Sequence, residues 1–514
     1  MLKINRFFIL TVMLFTALTL CAADKELRLG VYIYDYAFRR TAESDGVKIT
    51  DFVDRHFKIL QQNGVNTIHL TVSDPSGKQF REIWLPILKK HGIKAYLQLD
   101  FAYFIPGRNW TEKYENIQAA KAGKFINTFK NTPEILAFSI REEVPHKDVN
   151  AMARYYQKII GHAQDFAIFT LHNNLGAAKD QPVPDPVIYG TDRYAFWWEY
   201  SAGGYLASPD FSLNWTRNEA AKYYPEAAKR GADFSLVVTC NGYLTGARDL
   251  QKAWGSQNFV KRIEKYITAN NFGWQKSTID NKDFYWAWKY YRLPQNCLRA
   301  LIWTGILEGA KEVLFWSYNP VAQRDMSMTP EQLMFRNLAN GQKLKGNAVW
   351  TTLAGRDGIE NLELKEFAAT AKELKPYSKL IPQMRKIEES VVETNNRRKI
   401  FNRSFSFHGL KGKAFVIHNA NVGTWGANSR YFFNEDDDIK IDKEGHIASY
   451  KPLTAPMNVE FKLKNPADEV FDFKNGKKIN VVNGKGSVEI IPGGGVILFA
   501  GTAQEFQKIF SAVK

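Results

Sequence analysis

Residues 135–144 read ILAFSIREEV, an unbroken apolar run that stops at Arg141, Glu142 and Glu143. Pro133 and Glu134 close it in front and Pro145 behind. An apolar run of that length between breakers is the pattern of a strand buried on both faces, as in a parallel sheet. Parallel strands need crossovers, and helical patterns flank this one at residues 116–130 and 149–164. Two adjacent carboxylates are thereby placed at a strand tip, where α/β domains carry their chemistry.

Working outward, the same unit recurs. Apolar strand signals stand at residues 27–36, 65–74, 93–104, 166–174, 187–200, 232–244 and 311–320, separated by helical spacings that end at Gly64, Gly92 and similar stops. Eight units favour closure into a (β/α)8 barrel over an open sheet. From about Ile387 the pattern changes to short alternating runs with Asn-Gly and Gly-Gly turns, the signature of a small antiparallel β-sandwich. The expected organisation is a leader at 1–23, a barrel at 24–385 and a sandwich at 386–514. A chain of 514 residues has length for both.

The leader is read from Lys3 and Arg6 ahead of FFILTVMLF, with Cys21-Ala22-Ala23 at the cleavage position. Its apolar core is short for a membrane span, so the mature chain is expected to be secreted or periplasmic, with no integral membrane segment. Cys240 and Cys297 then remain, too few for a disulfide framework and without metal-ligand spacing. The formal net charge is +16, but Lys and Arg are scattered through helices instead of gathered in a run. That distribution speaks against nucleic acid and leaves an anionic glycan as one partner to consider. Neither a glycine-rich phosphate loop nor an HExxH pair is found, so no cofactor and no metal is expected.

In a parallel barrel all strand ends share one face. Asp35, Asp74, Asp100, Glu142, Glu143, His172, Asn173, Asp192, Asn241 and Tyr318 are then expected to converge, bordered by Tyr194, Trp197, Trp198, Tyr243 and Trp316. Carboxylates for proton transfer, flat apolar faces for pyranose rings and polar groups for hydroxyls are what a sugar chain requires. Crowded acids discourage simultaneous ionisation, which raises one of them toward a range useful for protonating a leaving oxygen. Alternation along the strand, however, allows Glu142 and Glu143 to face different ways.

With these residues in hand, the chain resembles the clan A type of (β/α)8 glycoside hydrolases over residues 27–320. ILAFSIREEV is similar to that group's fourth strand, and CLRALIWTGILEGAKEVLFWSY, residues 297–318, to its last helix and strand. The resemblance implies Glu143 as general acid/base and Glu142 at the preceding site. It also calls for a nucleophilic glutamate on strand seven, where SLVVTCNGYL offers Cys240, Asn241 and Tyr243 and no carboxylate. The second catalytic carboxylate is therefore sought at Asp192 or in the aromatic loop at Glu199. Asp35, Asp100, His172, Asn173, Tyr194, Trp197, Trp198, Asn241, Tyr243, Trp316 and Tyr318 are candidate substrate contacts. The leading function is an exported glycoside hydrolase acting on a polysaccharide or oligosaccharide. The alternative is a barrel that binds glycans without cleaving them, and a lyase using His172 or Tyr243 as base is more distant.

Overall fold

The structure is a computed structural model that describes residues 26–104, 110–180, 187–192, 197–199, 205–245, 275–279, 282–286, 288–318, 353, 361–395, 399–424, 432–433 and 450–514. For residues 197–199, 205–207, 241–245, 275–279, 282–286, 288–291, 424 and 432–433 it describes the backbone alone. The expected leader and Tyr194 lie outside the described residues.

Eight strands form one parallel sheet: β1 Arg28–Tyr34, β2 Thr67–Val72, β3 Lys94–Leu99, β4 Ile135–Ser139, β5 Phe169–His172, β6 Ile188–Thr191, β7 Asp233–Thr239 and β8 Glu312–Trp316. Their order runs β4-β3-β2-β1-β8-β7-β6-β5, and a parallel bridge from Phe138 to Ile168 joins the two ends. The ring is thus closed in sequence order, a (β/α)8 barrel. β4 is the read strand, but it ends at Ser139, so Ile140 to Val144 leave the sheet before Pro145 is reached.

The barrel interior follows from strand alternation. Tyr32, Tyr96, Ala137, Phe169, Leu171, Ile188, Val237 and Leu314 pack together inside the ring. Residues in phase with them, among them Arg28, Tyr34, His69, Asp192 and Trp316, share that inner face. Their immediate neighbours in sequence face the helices, where a much larger cluster that includes Val31, Ile68, Leu97 and Phe315 is sealed.

At the N-terminal end the interior is closed by a polar plug. The fully buried Glu312 accepts from Arg28 Nε at 2.9 Å, from Ser235 Oγ at 2.7 Å and from the Tyr96 hydroxyl, and Arg28 also bonds Asp233 at 2.9 Å. Burial pushes the Glu312 carboxyl above the ordinary range, and these donors offset only part of that rise. A buried charge satisfied in this way is costly to strip of one partner, on the order of 3–5 kcal/mol.

Two features differ from the sequence reading. A helix, α1 at Asp35–Ser44, follows β1 at once, so Asp35 opens a helix instead of ending a strand. The segment at 232–244 breaks after Thr239, and residues Asn241–Thr245 enter a separate five-stranded sheet with Trp288–Arg292, Trp197–Glu199, Tyr205–Ala207 and Phe432–Phe433. The aromatic segment expected as a loop is therefore an extended strand, paired in register with Tyr243 and Leu244. Long apolar and aromatic runs carry no mark of which sheet they join, and here the change of sheet falls at Cys240.

The C-terminal region is an antiparallel sandwich. A six-stranded sheet, beginning at Arg385–Ile387, faces a three-stranded one, and their inner residues, including Phe415, Ile417, Val459, Phe461 and Leu498, form its core. The sandwich leans on α2, Cys297–Leu307, the helix before β8: Thr304 Oγ1 lies 3.3 Å from His418 Nε2, and the ring of Trp303 sits against Gly495. The buried Glu308 just beyond that helix bonds both Lys386, at 2.5 Å, and Arg403, at 3.1 Å. No helix among the described residues is long and apolar enough to cross a membrane.

Candidate functional site

The C-terminal mouth of the barrel holds the acids. After Ser139 the chain leaves β4 through Ile140 and Arg141 and bends at Glu142 and Glu143. Glu143 adopts φ +51°, left-handed backbone that a side chain with a Cβ rarely takes, and its N–H donates to Leu171 O at 3.0 Å. Backbone of this kind costs on the order of 1 kcal/mol or more and is kept where the surroundings over-determine it, often at functional sites. Here it turns successive glutamates to different partners.

Glu142 is held from beneath. The Tyr32 hydroxyl donates to Glu142 Oε1 at 2.9 Å, and His69 Nε2 lies 3.0 Å from the same oxygen. The two rings are stacked with centroids 4.1 Å apart. Above them Tyr103 receives a backbone hydrogen bond from Glu142, and the Arg141 guanidinium lies 4.6 Å over the Tyr103 ring.

Glu143 is exposed and meets the buried Asp192 at the end of β6. The Asp192 carboxyl is hydrogen-bonded to Glu143, and its pKa is pushed well above the ordinary carboxylate range, first by burial, then by that hydrogen bond and by the negative charges of Glu143 and Glu142. Two carboxyl groups this close disfavour simultaneous ionisation. Asp100, bonded by Gln98 Nε2 at 3.2 Å, is shifted upward as well, by burial first and then by Asp35 and Glu142. Tyr34, Tyr36 and Tyr103 move the same way, burial leading in each case. The field at the mouth is negative although the chain as a whole is basic.

Trp316 reaches the inner face at the end of β8, and its indole N–H donates to the Tyr34 hydroxyl at 2.7 Å. With Tyr34 and Tyr103 it supplies flat apolar surface beside the acids, the geometry suited to sugar rings.

Other expected contacts are placed elsewhere. Leu171 faces inward, so the next residue, His172, points to the helices. There it is buried against Tyr189, with ring centroids 4.8 Å apart, and burial depresses it to about 3. Tyr318 is also in the helix layer, its hydroxyl 2.9 Å from His56 Nδ1. Asp35 is buried and occupied by Ser73 Oγ at 2.6 Å, Ser73 N at 3.2 Å and Arg39 at 3.8 Å, which ties α1 to the end of β2. Asp74 caps a surface turn through Ser76. Asn173 follows β5, part-buried. Trp197, Trp198, Glu199, Asn241 and Tyr243 lie in the five-stranded sheet by their backbone, and their side chains are outside the description.

Strand seven ends in a buried thiol. Cys240 Sγ donates to Trp316 O at 3.3 Å, and burial pushes it up to about 12, so it is inert as a nucleophile. Among the described residues no group of three or more His, Cys, Asp or Glu side chains is arranged to hold a metal. A wide groove on the three-stranded sheet of the sandwich, lined by Glu393, Glu460, Lys462 and Lys485, is distant in the fold from these acids.

Tyr32 and His69 were not among the residues the sequence singled out. The available signal was a Tyr and a His in phase on neighbouring apolar strands, which reads equally well as core filling.

The sequence matches no protein-family model and no curated protein. Solved structures with similar folds include a family 30 subfamily 8 xylanase from Clostridium acetobutylicum, at 10% identity and TM-score 0.38 over 93% of this chain and 97% of that one. AmyP in complex with maltose matches at 10% identity and TM-score 0.42 over 94% and 98%. An Anoxybacillus α-amylase matches at 8% identity and TM-score 0.41 over 93% and 98%. Likeness this slight says nothing about chemistry, and the barrel is established by its own strand order and closure.

Proposed function

We propose that this chain is an exported glycoside hydrolase in which Glu143, sharing a proton with Asp192, is the general acid. The observation that carries the reading is that the exposed Glu143 and the buried Asp192 lie side by side at the mouth of the barrel, close enough for each carboxyl to act on the other. Burial and the neighbouring acids favour the protonated form of the buried member, and the exposed member is the one a substrate can reach. Cleavage of a glycosidic bond requires that proton on the departing oxygen as the bond from the anomeric carbon breaks. Water then supplies hydroxide to that carbon and returns a proton to the pair, which restores it. Trp316, Tyr34 and Tyr103 would stack the sugar ring, and Asp100 and Glu142 would accept from its hydroxyls. Export rests on the leader at residues 1–23.

The binding-only alternative draws on strand seven, where a thiol and an amide stand in place of a carboxylate. The two readings part on a panel of neutral and anionic glycans offered to wild type and Glu143→Gln. Hydrolysis by wild type that the variant lacks supports the enzyme. Binding of a glycan by both proteins with cleavage by neither supports the lectin-like barrel, and equal cleavage by both removes Glu143 from the chemistry.

A further inference from the structure

We propose that Tyr34 orients the substrate through its hydroxyl, which donates a hydrogen bond to an oxygen of the bound sugar that carries no proton, the ring or glycosidic oxygen. The direction of that bond is set by Trp316. That its acceptor is a sugar oxygen rests on the reading of the barrel mouth as a glycan site.

An indole nitrogen can only donate, so in the 2.7 Å contact between Trp316 Nε1 and the Tyr34 hydroxyl the phenol oxygen is the acceptor. The phenol proton is left over. Among the described residues no group is placed to accept it, and a hydroxyl in that position is satisfied from outside the protein. Tyr34 ends the inner face of β1 and is partly exposed, so a molecule in the mouth can reach it. Tyr32, earlier on the same face, is polarised the other way: its hydroxyl donates to Glu142 Oε1 at 2.9 Å, and its proton is spent within the chain. A carboxylate partner consumes the proton of one phenol, and an indole partner frees that of the other.

The chemistry around Tyr34 selects the acceptor. Ionised carboxylates such as Glu142 and Asp100 only accept, so they take the hydroxyl protons of a sugar and offer nothing to its ring and glycosidic oxygens. Those oxygens need a donor, and Tyr34 supplies one within the field of Glu142 and beside Tyr103. The same negative field disfavours an anionic acceptor. Tyr34 also stays a donor at any working pH, because its phenol is held well above the ordinary range, by burial first, with the Trp316 N–H opposing and the Glu142 charge adding. The ring face that stacks a sugar and the hydroxyl at its end are separate parts of the side chain, so both contacts are made at once.

The test uses the full chain carrying Glu143→Gln, which spares a bound glycan, with its tyrosines labelled with carbon-13 at Cζ and dissolved in equal parts of light and heavy water. A phenol proton held by an acceptor exchanges slowly and splits the Cζ line in two; a proton facing water exchanges fast and leaves one line. Tyr34, assigned by its loss in Tyr34→Phe, is expected to give one line in the free chain and two when saturated with whichever of maltotriose, xylotriose and cellotriose binds. Two lines in the free chain mean that the proton is already committed within the protein and overturn the proposal, and one line that persists at saturation, a hydrated hydroxyl only, overturns it as well. Calorimetry supplies the second readout: Tyr34→Phe is expected to weaken binding about three- to tenfold, the size of one hydrogen bond. Equal affinity overturns the proposal alone. Binding of none of the three sugars by either protein overturns the glycan reading of the mouth, and the proposal with it.

Discussion

The two ends of the barrel both bury carboxylates, and they treat them in opposite ways. At the closed end Glu312 is met by Arg28, Tyr96 and Ser235, so its charge is answered by donors from three other strands. At the open end Asp192 is met by another acid, Glu143, which with burial disfavours its ionisation. Both carboxyls are shifted upward by burial, but donors offset part of the rise at Glu312 whereas neighbouring acids add to it at Asp192. A buried carboxylate is thus a structural part or a chemical one according to its partner, and the parallel strands separate the two kinds at opposite ends of one interior.

The largest expected effect tests the open end. Glu143→Gln should lower kcat on a cleavable glycan by roughly 10²- to 10⁴-fold, the range for removing a positioned acid, while its thermal unfolding midpoint stays close to wild type. At the closed end the outcome should be reversed. Glu312→Ala should lose about 3–5 kcal/mol of stability in urea unfolding, because Arg28 is left buried with one partner fewer, while activity per folded molecule is retained. If Glu312→Ala is as stable as wild type, the closed end is not the structural counterpart described above.

A third expectation concerns acid. Burial, with Arg230 in a lesser role, holds the folded His172 to about 3, against roughly 6.5 when unfolded. The contribution of the neutral ring is whole above pH 6.5 and is lost as pH falls toward 3, a matter of a few kcal/mol. His172→Phe should therefore show a shallower loss of stability between pH 6 and 4 than wild type in urea titrations at each pH. An unchanged slope would mean that His172 is hydrated in solution.

The smallest effect belongs to Asp192 and has the other sign. Its carboxyl is raised in the folded chain, so its contribution to stability is full below the ordinary aspartate range and is lost as pH rises through its folded value. Asp192→Asn should lose less stability than wild type on going from pH 5 to pH 9, followed by the same urea titrations. A wild-type curve parallel to the variant's would mean that Asp192 ionises freely.

Much of this was legible in the order of residues. ILAFS between Pro133 and Pro145 leaves little choice but a buried strand, and the chain break at a polar tip marks Glu142 and Glu143. Asp192 was legible for the same reason, as the first acid after VIYGT. What was not legible is phase. A strand with both faces apolar gives no sign of which side is inside, so His172 reads as a mouth residue when Leu171, not it, faces the interior. The same ambiguity hid His69 and Tyr32, whose inward phase becomes visible only when the ring is closed. Tyr318 is misjudged differently: it stands two residues beyond β8, where the chain has already turned toward His56. The five-stranded sheet was illegible because its partners come from distant segments, with Phe432 pairing Ala207 across more than two hundred residues.

The shared proton is the claim on which the rest depends, and carboxyl NMR of a chain with carbon-13-labelled aspartate measures it most directly, with Asp192 assigned by its absence in Asp192→Asn. The expected result is a carboxyl that titrates well above the ordinary aspartate range and whose shift changes in Glu143→Gln. A resonance that titrates near the ordinary aspartate value of about 4, with no response to Glu143→Gln, would contradict the account.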